Sequence, residues 1–248
     1  MNKPTKARQK IYDRWHKSVY QTNIGSSIKK FELLYNTAIK YLGIDKNSQG
    51  RLLDVACGKG LLLRAIREKN KKLDLYGSDI SAYAISVAKK VVESKFSIDD
   101  GEKLSLSSNM FDYVASLGGI EYYDRPLKGI KEITRVLKKE GRAVIFVPNL
   151  MFIGYMWLAW RYGLMPTHGG NNESGKKFYD YNDERFFTYR AWKDMLETGG
   201  LRILSVHAYS HIGGTKFANQ FFLFLYNTIF HKLIPLHLAY SFIFVCKK

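Results

Sequence analysis

Nine residues, Leu52-Leu53-Asp54-Val55-Ala56-Cys57-Gly58-Lys59-Gly60, constrain the fold more than any other part of this chain. An apolar run ends in a carboxylate and a glycine-rich turn. Leu61-Leu62-Leu63-Arg64-Ala65-Ile66 then follows with a helical pattern. Strand, tight turn and helix in that order predict the first unit of an α/β nucleotide-binding fold. The glycines let backbone approach a ligand closely. A dinucleotide fingerprint starting at Gly58 would need glycine at position 63, which is Leu63. Asp54 would also repel a pyrophosphate, whereas it can accept hydrogen bonds from an ammonium group. The pattern therefore points to a nucleoside carrying a positive appendage.

Three further segments extend the pattern. Leu73 to Ser81 reads as a strand ending in Asp79, 19 residues beyond Gly60. An acidic residue about 20 residues on is placed to hold ribose hydroxyls, with Ile80 as an apolar face for a base. Asp79 can also cap the helix that follows, and Ser81 can do so alone. Asp99-Asp100-Gly101-Glu102 forms a polar turn after the next strand. Met110 to Leu117 reads as a strand and Glu132 to Leu137 as the end of an amphipathic helix. A turn at Gly141 and a strand to Val147 complete the run. Ile130, Ile133, Val136 and Leu137 recur at helical spacing and are assigned to the core.

These four segments resemble, in order and spacing, the class I S-adenosylmethionine-dependent methyltransferases, and most closely the small-molecule group called type 11. The resemblance covers about residues 30 to 248. It implies an α/β Rossmann-like fold: seven mostly parallel strands, helices on both faces, an antiparallel last strand, and here an aromatic-rich insertion at about 150–185. It implies S-adenosylmethionine as methyl donor. Asp54 would face its amino group, and Ala56, Cys57, Gly58 and Gly60 would line it. Asp79 and Ile80 would hold ribose and adenine. Asp100 would accept from the adenine amino group beside Gly101, with Asp99 as the one-residue alternative. Leu117 would complete the wall. Many relatives have histidine after the glutamate that follows strand four; here Tyr122 stands in that place.

The remaining sequence bears on the acceptor. Residues after strand four, Gly118 to Asp124, should face it, because ligands bind beyond the carboxyl ends of such strands. Tyr122 and His168 are the candidate catalytic residues, with His211 a further candidate base. Residues 1–30 form a basic helical lead-in in which Ile11, Tyr12, Trp15, Val19 and Tyr20 share one side. In related enzymes such a helix folds over the cofactor, so Tyr12, Trp15 and Tyr20 are candidate lid residues, and a helix packed on the sheet edge is the alternative. The second domain, 31–248, contains the predicted sheet. Phe31 to Leu42 reads as a helix, Thr188 as a helix N-cap, Leu201 to Tyr209 as the sixth strand and Phe217 to Phe230 as a second aromatic helix. The insertion reads as an acceptor cap, a membrane contact, a dimer face or plain core.

The chain carries 39 Lys and Arg against 22 Asp and Glu, a net charge of +17. Eight basic residues lie in the first 30, and five lie after residue 200, where no acidic residue occurs. A solvated surface, an anionic membrane face and nucleic acid all suit that excess. The exocyclic-amine motif Asn/Asp-Pro-Pro-Tyr and the Pro-Cys nucleophile are absent, which lowers nucleic acid. A small, apolar or lipid-linked acceptor fits the aromatic insertion better. An RNA methyltransferase and a non-catalytic binding module are the alternatives. The motifs leave oxygen, nitrogen and carbon open as accepting atom. The two cysteines, Cys57 and Cys246, and the missing secretory pattern fit a cytoplasmic protein, with the membrane's inner face as a peripheral site. No spacing of His or Cys predicts a metal site.

Overall fold

The computed structural model describes residues 6–19, 24–162, 185–209 and 233–248. His168, His211, Tyr20 and the 217–230 segment lie outside these residues. Helices α1 (Lys6–Val19) and α2 (Ile24–Leu42) precede the sheet. Then come β1 (Arg51–Val55), α3 (Leu61–Lys69), β2 (Asp74–Asp79), α4 (Ala82–Val91), β3 (Lys95–Ile98) and β4 (Phe111–Leu117). A 3-10 turn, Ile120–Tyr122, leads to α5 (Pro126–Val136), β5 (Leu137–Pro148), α6 (Ile153–Tyr162), α7 (Tyr189–Thr198), β6 (Arg202–Tyr209) and β7 (Ser241–Lys247).

The strands form one sheet in the order β3-β2-β1-β4-β5-β7-β6. Neighbours are parallel except β7, which runs antiparallel to both β5 and β6. Period-two alternation splits each central strand between two cores. Leu53, Val55, Ile145, Phe242 and Phe244 face α5 and α7. Leu52, Val144, Phe146, Ile243 and Val245 face α2 and α3. The central strands are buried on both faces, which is why they read as near-continuous apolar runs.

Several local expectations are refined. Ser81 caps α4, its Oγ accepting from the Ala84 N–H at 3.0 Å, and Thr188 caps α7 in the same way. The expected Gly141 turn is instead an irregularity within β5. Leu137 pairs with Phe111 and Arg142 with Tyr113, so four residues of β5 bulge opposite one of β4. Helix α2 begins at Ile24 and runs unbroken through position 30, so the boundary expected there falls inside a helix. Ile11 does not share the docked side of α1; it is 53% exposed.

Candidate active site

The carboxyl ends of β1, β2 and β4 converge, because parallel strands joined by right-handed crossovers point the same way. After β1 the backbone turns through left-handed conformations at Ala56 (φ 59), Gly58 (φ 51) and Gly60 (φ 72). The turn is pinned from inside: the Cys57 N–H donates to the Ser78 carbonyl at 3.0 Å, and the Gly60 N–H to the Cys57 carbonyl at 2.9 Å. Asp79 ties the turn to β2. One carboxylate oxygen accepts from the Gly58 N–H and the other from the Ser81 N–H, both at 2.8 Å. A carboxylate has about four acceptor positions, so Asp79 retains capacity for further donors.

Asp54 is buried beneath this turn, and its carboxylate makes no hydrogen bond among the described residues. Burial, and then the charge of Asp79, push its carboxyl well above the usual range. The two aspartates of the 99–100 pair separate cleanly. Asp99 accepts from the Ser97 and Ser105 hydroxyls at 2.7 and 2.9 Å. Asp100 accepts from the Glu102 N–H and faces Arg8 at 2.9 Å. Gly101 serves packing, because the Tyr123 hydroxyl occupies the place a Cβ would take. Ile80 and Leu117 are half-buried beside these groups.

Helix α1 lies across this rim. Arg8 also approaches Glu102 at 3.3 Å and Asp124 at 3.4 Å. The Tyr12 hydroxyl donates to the Tyr122 carbonyl at 3.1 Å. Asp13 accepts from the Ser81 hydroxyl at 2.6 Å and the Tyr83 N–H at 3.0 Å. His16 is buried with Nε2 3.9 Å from Asp79, and burial lowers its pKa. The docked stripe is thus Arg8, Tyr12, Trp15 and His16, at helical spacing, and Ile11 falls outside it. Trp15 packs near the Tyr122 ring, with centroids 6.3 Å apart.

Beyond β4, Glu121 is fully buried, and neither carboxyl oxygen has a hydrogen-bond partner among the described residues. Burial pushes its carboxyl up to about 8. Ser116 and Tyr123, also buried, have hydroxyls in the same condition. The insertion departs and returns beside this turn. Asn149 at the end of β5 bridges to Phe187, and the Arg185 N–H donates to the Glu121 carbonyl at 2.8 Å. Glu121 was visible in the sequence only as a residue after strand four. The chain's return at Arg185, 64 positions later, sets a backbone N–H on the Glu121 carbonyl, a contact that no local pattern announces.

Residues 53–145 match the sequence profile of the methyltransferase domain family. This chain carries a class I, S-adenosylmethionine-dependent methyltransferase domain. The methyltransferase is similar to the ubiquinone/menaquinone biosynthesis C-methyltransferase of Rickettsia felis, 27% identical over 185 residues, covering 68% of this chain and 73% of that one. It is also similar to the ubiquinone biosynthesis O-methyltransferase of Coxiella burnetii, 26% identical over 190 residues, covering 74% and 77%. Its fold matches a solved S-adenosylmethionine-dependent methyltransferase of Thermotoga maritima, described as a possible histamine N-methyltransferase. The TM-score is 0.65 at 16% identity, over 97% of this chain and 99% of that one. Among the described residues no three metal-ligating side chains cluster, and no helix is long and apolar enough to cross a membrane.

Proposed function

We propose that this methyltransferase moves a methyl group from S-adenosylmethionine to a hydroxylated aromatic ring of a small, apolar, lipid-linked acceptor. The observation that carries the acceptor half is the placement of the insertion. Its returning stem, Arg185, is tied to the turn after β4, where an acceptor must stand. Its departing stem, Asn149, bridges to Phe187, and Phe152 and Tyr155 at the start of α6 join an aromatic cluster with Phe186 and Tyr240. The two quinone-biosynthesis relatives support the same chemical class.

The donor half rests on residues whose chemistry fits the molecule. Asp54, buried and without a hydrogen-bond donor among the described residues, takes the amino group of the methionine part. The backbone of Ala56, Cys57, Gly58 and Gly60 follows its chain. The spare acceptor positions of Asp79 take the ribose hydroxyls. Asp100 accepts from the adenine amino group, and Ile80 and Leu117 flank the base. The bound sulfonium supplies an already activated methyl group, so the protein contributes alignment and exclusion of water. Helix α1 acts as the lid that seals this rim.

The acceptor's tail also gives a role to the outer face of α6. Met156, Trp157 and Trp160 are exposed there, Trp160 to 81%. Amphipathic aromatic rings suit the boundary between water and lipid, and the net charge of +17 favours an anionic surface. The test is methyl transfer from labelled donor to short-tailed prenyl hydroquinones and catechols, with total RNA in parallel. Label in the extracted quinol supports the reading. Label in RNA alone refutes it.

A further inference from the structure

We propose that Glu121 is the proton acceptor of the reaction, taking the proton from the acceptor's ring hydroxyl as the methyl group is transferred. The proposal rests on the aromatic-acceptor reading above. It starts from an anomaly of burial. Buried polar side chains are almost always hydrogen-bonded, because an unpaired one forfeits its hydration without return. Glu121 has two oxygens without a partner among the described residues, and Ser116, near the end of β4, adds a hydroxyl in the same condition. Three polar atoms without partners among the described residues, at and just beyond the carboxyl end of β4, are more than packing requires.

The turn itself places the carboxyl. Gly118 holds a left-handed conformation (φ 78), and a Cβ there would lie 3.5 Å from Glu121 Oε1. The next residue, Gly119, is pressed against the loop after β1, where a Cβ would come 2.5 Å from the Ala56 Cβ. One turn of backbone therefore separates the Glu121 carboxyl from the loop that lines the donor. On its other side the chain returns from the insertion at Arg185, hydrogen-bonded to the Glu121 carbonyl.

The surrounding charges leave Glu121 free to titrate near neutral pH. Arg185 spends its guanidinium on the Tyr123 carbonyl. Arg125 pairs with Glu102, and Arg8 with Asp100 and Glu102. Tyr123, whose own hydroxyl is pushed up by burial and then by Asp100, Asp79 and Glu121, stays protonated. No cation among the described residues offsets the burial of Glu121, so its carboxyl stays near 8, close to the pH at which a general base works best. Tyr122, one of the two catalytic candidates expected from sequence, turns its ring toward Trp15 of α1.

The step balances. The ring O–H bond breaks and its proton passes to the Glu121 carboxylate. The freed electron pair forms the bond to the methyl carbon, directly from oxygen or through a ring carbon; in the carbon case the resulting dienone then passes its ring C–H proton to the oxygen and regains aromaticity. The S–CH3 bond breaks with its pair left on sulfur. One cation and one carboxylate become a neutral thioether and a neutral acid, and Glu121 then returns the proton to water.

The experiment compares wild type, Glu121→Gln and Glu121→Asp on a short-tailed prenyl hydroquinone and catechol, with S-adenosylhomocysteine affinity measured on each protein. Glu121→Gln should lower kcat at least about 100-fold, with KM and S-adenosylhomocysteine affinity within about twofold. Wild-type kcat should rise with pH through about 8; Glu121→Asp should keep that rise at a reduced rate, and Glu121→Gln should lose it. Equal activity and equal pH profiles in wild type and Glu121→Gln would overturn the proposal alone. Loss of S-adenosylhomocysteine binding together with activity would make Glu121 structural and overturn it as well. A wild type that binds the thioether but methylates neither probe would overturn the acceptor reading, and the proposal with it.

Discussion

Replacing Glu121 with glutamine should remove a loss of stability that the wild type suffers as pH rises. The wild-type carboxyl is fully buried and held at about 8, against an ordinary 4.5. Between those values the unfolded chain has released a proton that the folded chain retains. Stability therefore falls as pH rises, and the whole loss is present above about 8. At about 1.4 kcal/mol per pH unit the term reaches about 5 kcal/mol, comparable to the net stability of a domain. Glutamine has no proton to release. Its own burial cost is independent of pH and cancels when the two proteins are compared at two pH values. Urea unfolding of both proteins at pH 5 and pH 8.5 gives the difference directly. The gap between variant and wild type should widen in the variant's favour by several kcal/mol. A widening below about 1 kcal/mol would mean that Glu121 is hydrated or paired, and the burial argument would fail.

Other perturbations test separate parts of the site. Gly60→Ala places a Cβ at φ 72 and 3.2 Å from the Ala88 Cβ, so it should cost at least about 1–2 kcal/mol in urea unfolding; an unchanged midpoint would refute the left-handed turn. Asp13→Ala removes the acceptor for Ser81 Oγ and the Tyr83 N–H, so amide exchange in 6–19 should accelerate while the central strands stay protected; unchanged exchange would mean that α1 is held by other contacts. Pelleting with vesicles should rise with anionic lipid and fall with salt, and Trp160→Ala should weaken it; flat pelleting would return the charge to a solvated surface.

Much of this arrangement was legible in the chain because it is local. Asp79 ends its strand and Asp54 stands one residue before the end of its own, and each precedes a turn and a helix within a few positions. Ser81 and Thr188 cap helices that begin at the next residue. What stayed hidden depends on contacts far apart in sequence. Arg8 meets Asp100, 92 residues away, so the polar stripe that docks α1 had no local signature and Ile11 was misplaced. The Gly141 segment reads as a turn by composition, yet β4 and β7 hold it in the sheet as a bulge. The partners of Asp99 and Asp100 were equally hidden: Ser97 and Ser105 hold the first and Arg8 the second.

The central claim is that the acidic strand ends form the donor site, and calorimetry with S-adenosylhomocysteine tests it most directly. Wild type should bind saturably. Asp79→Ala should weaken binding by about 1–3 kcal/mol, or about 5- to 150-fold, through lost hydrogen bonds to a charged group. Asp54→Asn should weaken it while leaving the Asp79 contacts to Gly58 and Ser81 in place. Binding of NAD with no response to S-adenosylhomocysteine, or full affinity in both variants, would contradict the account.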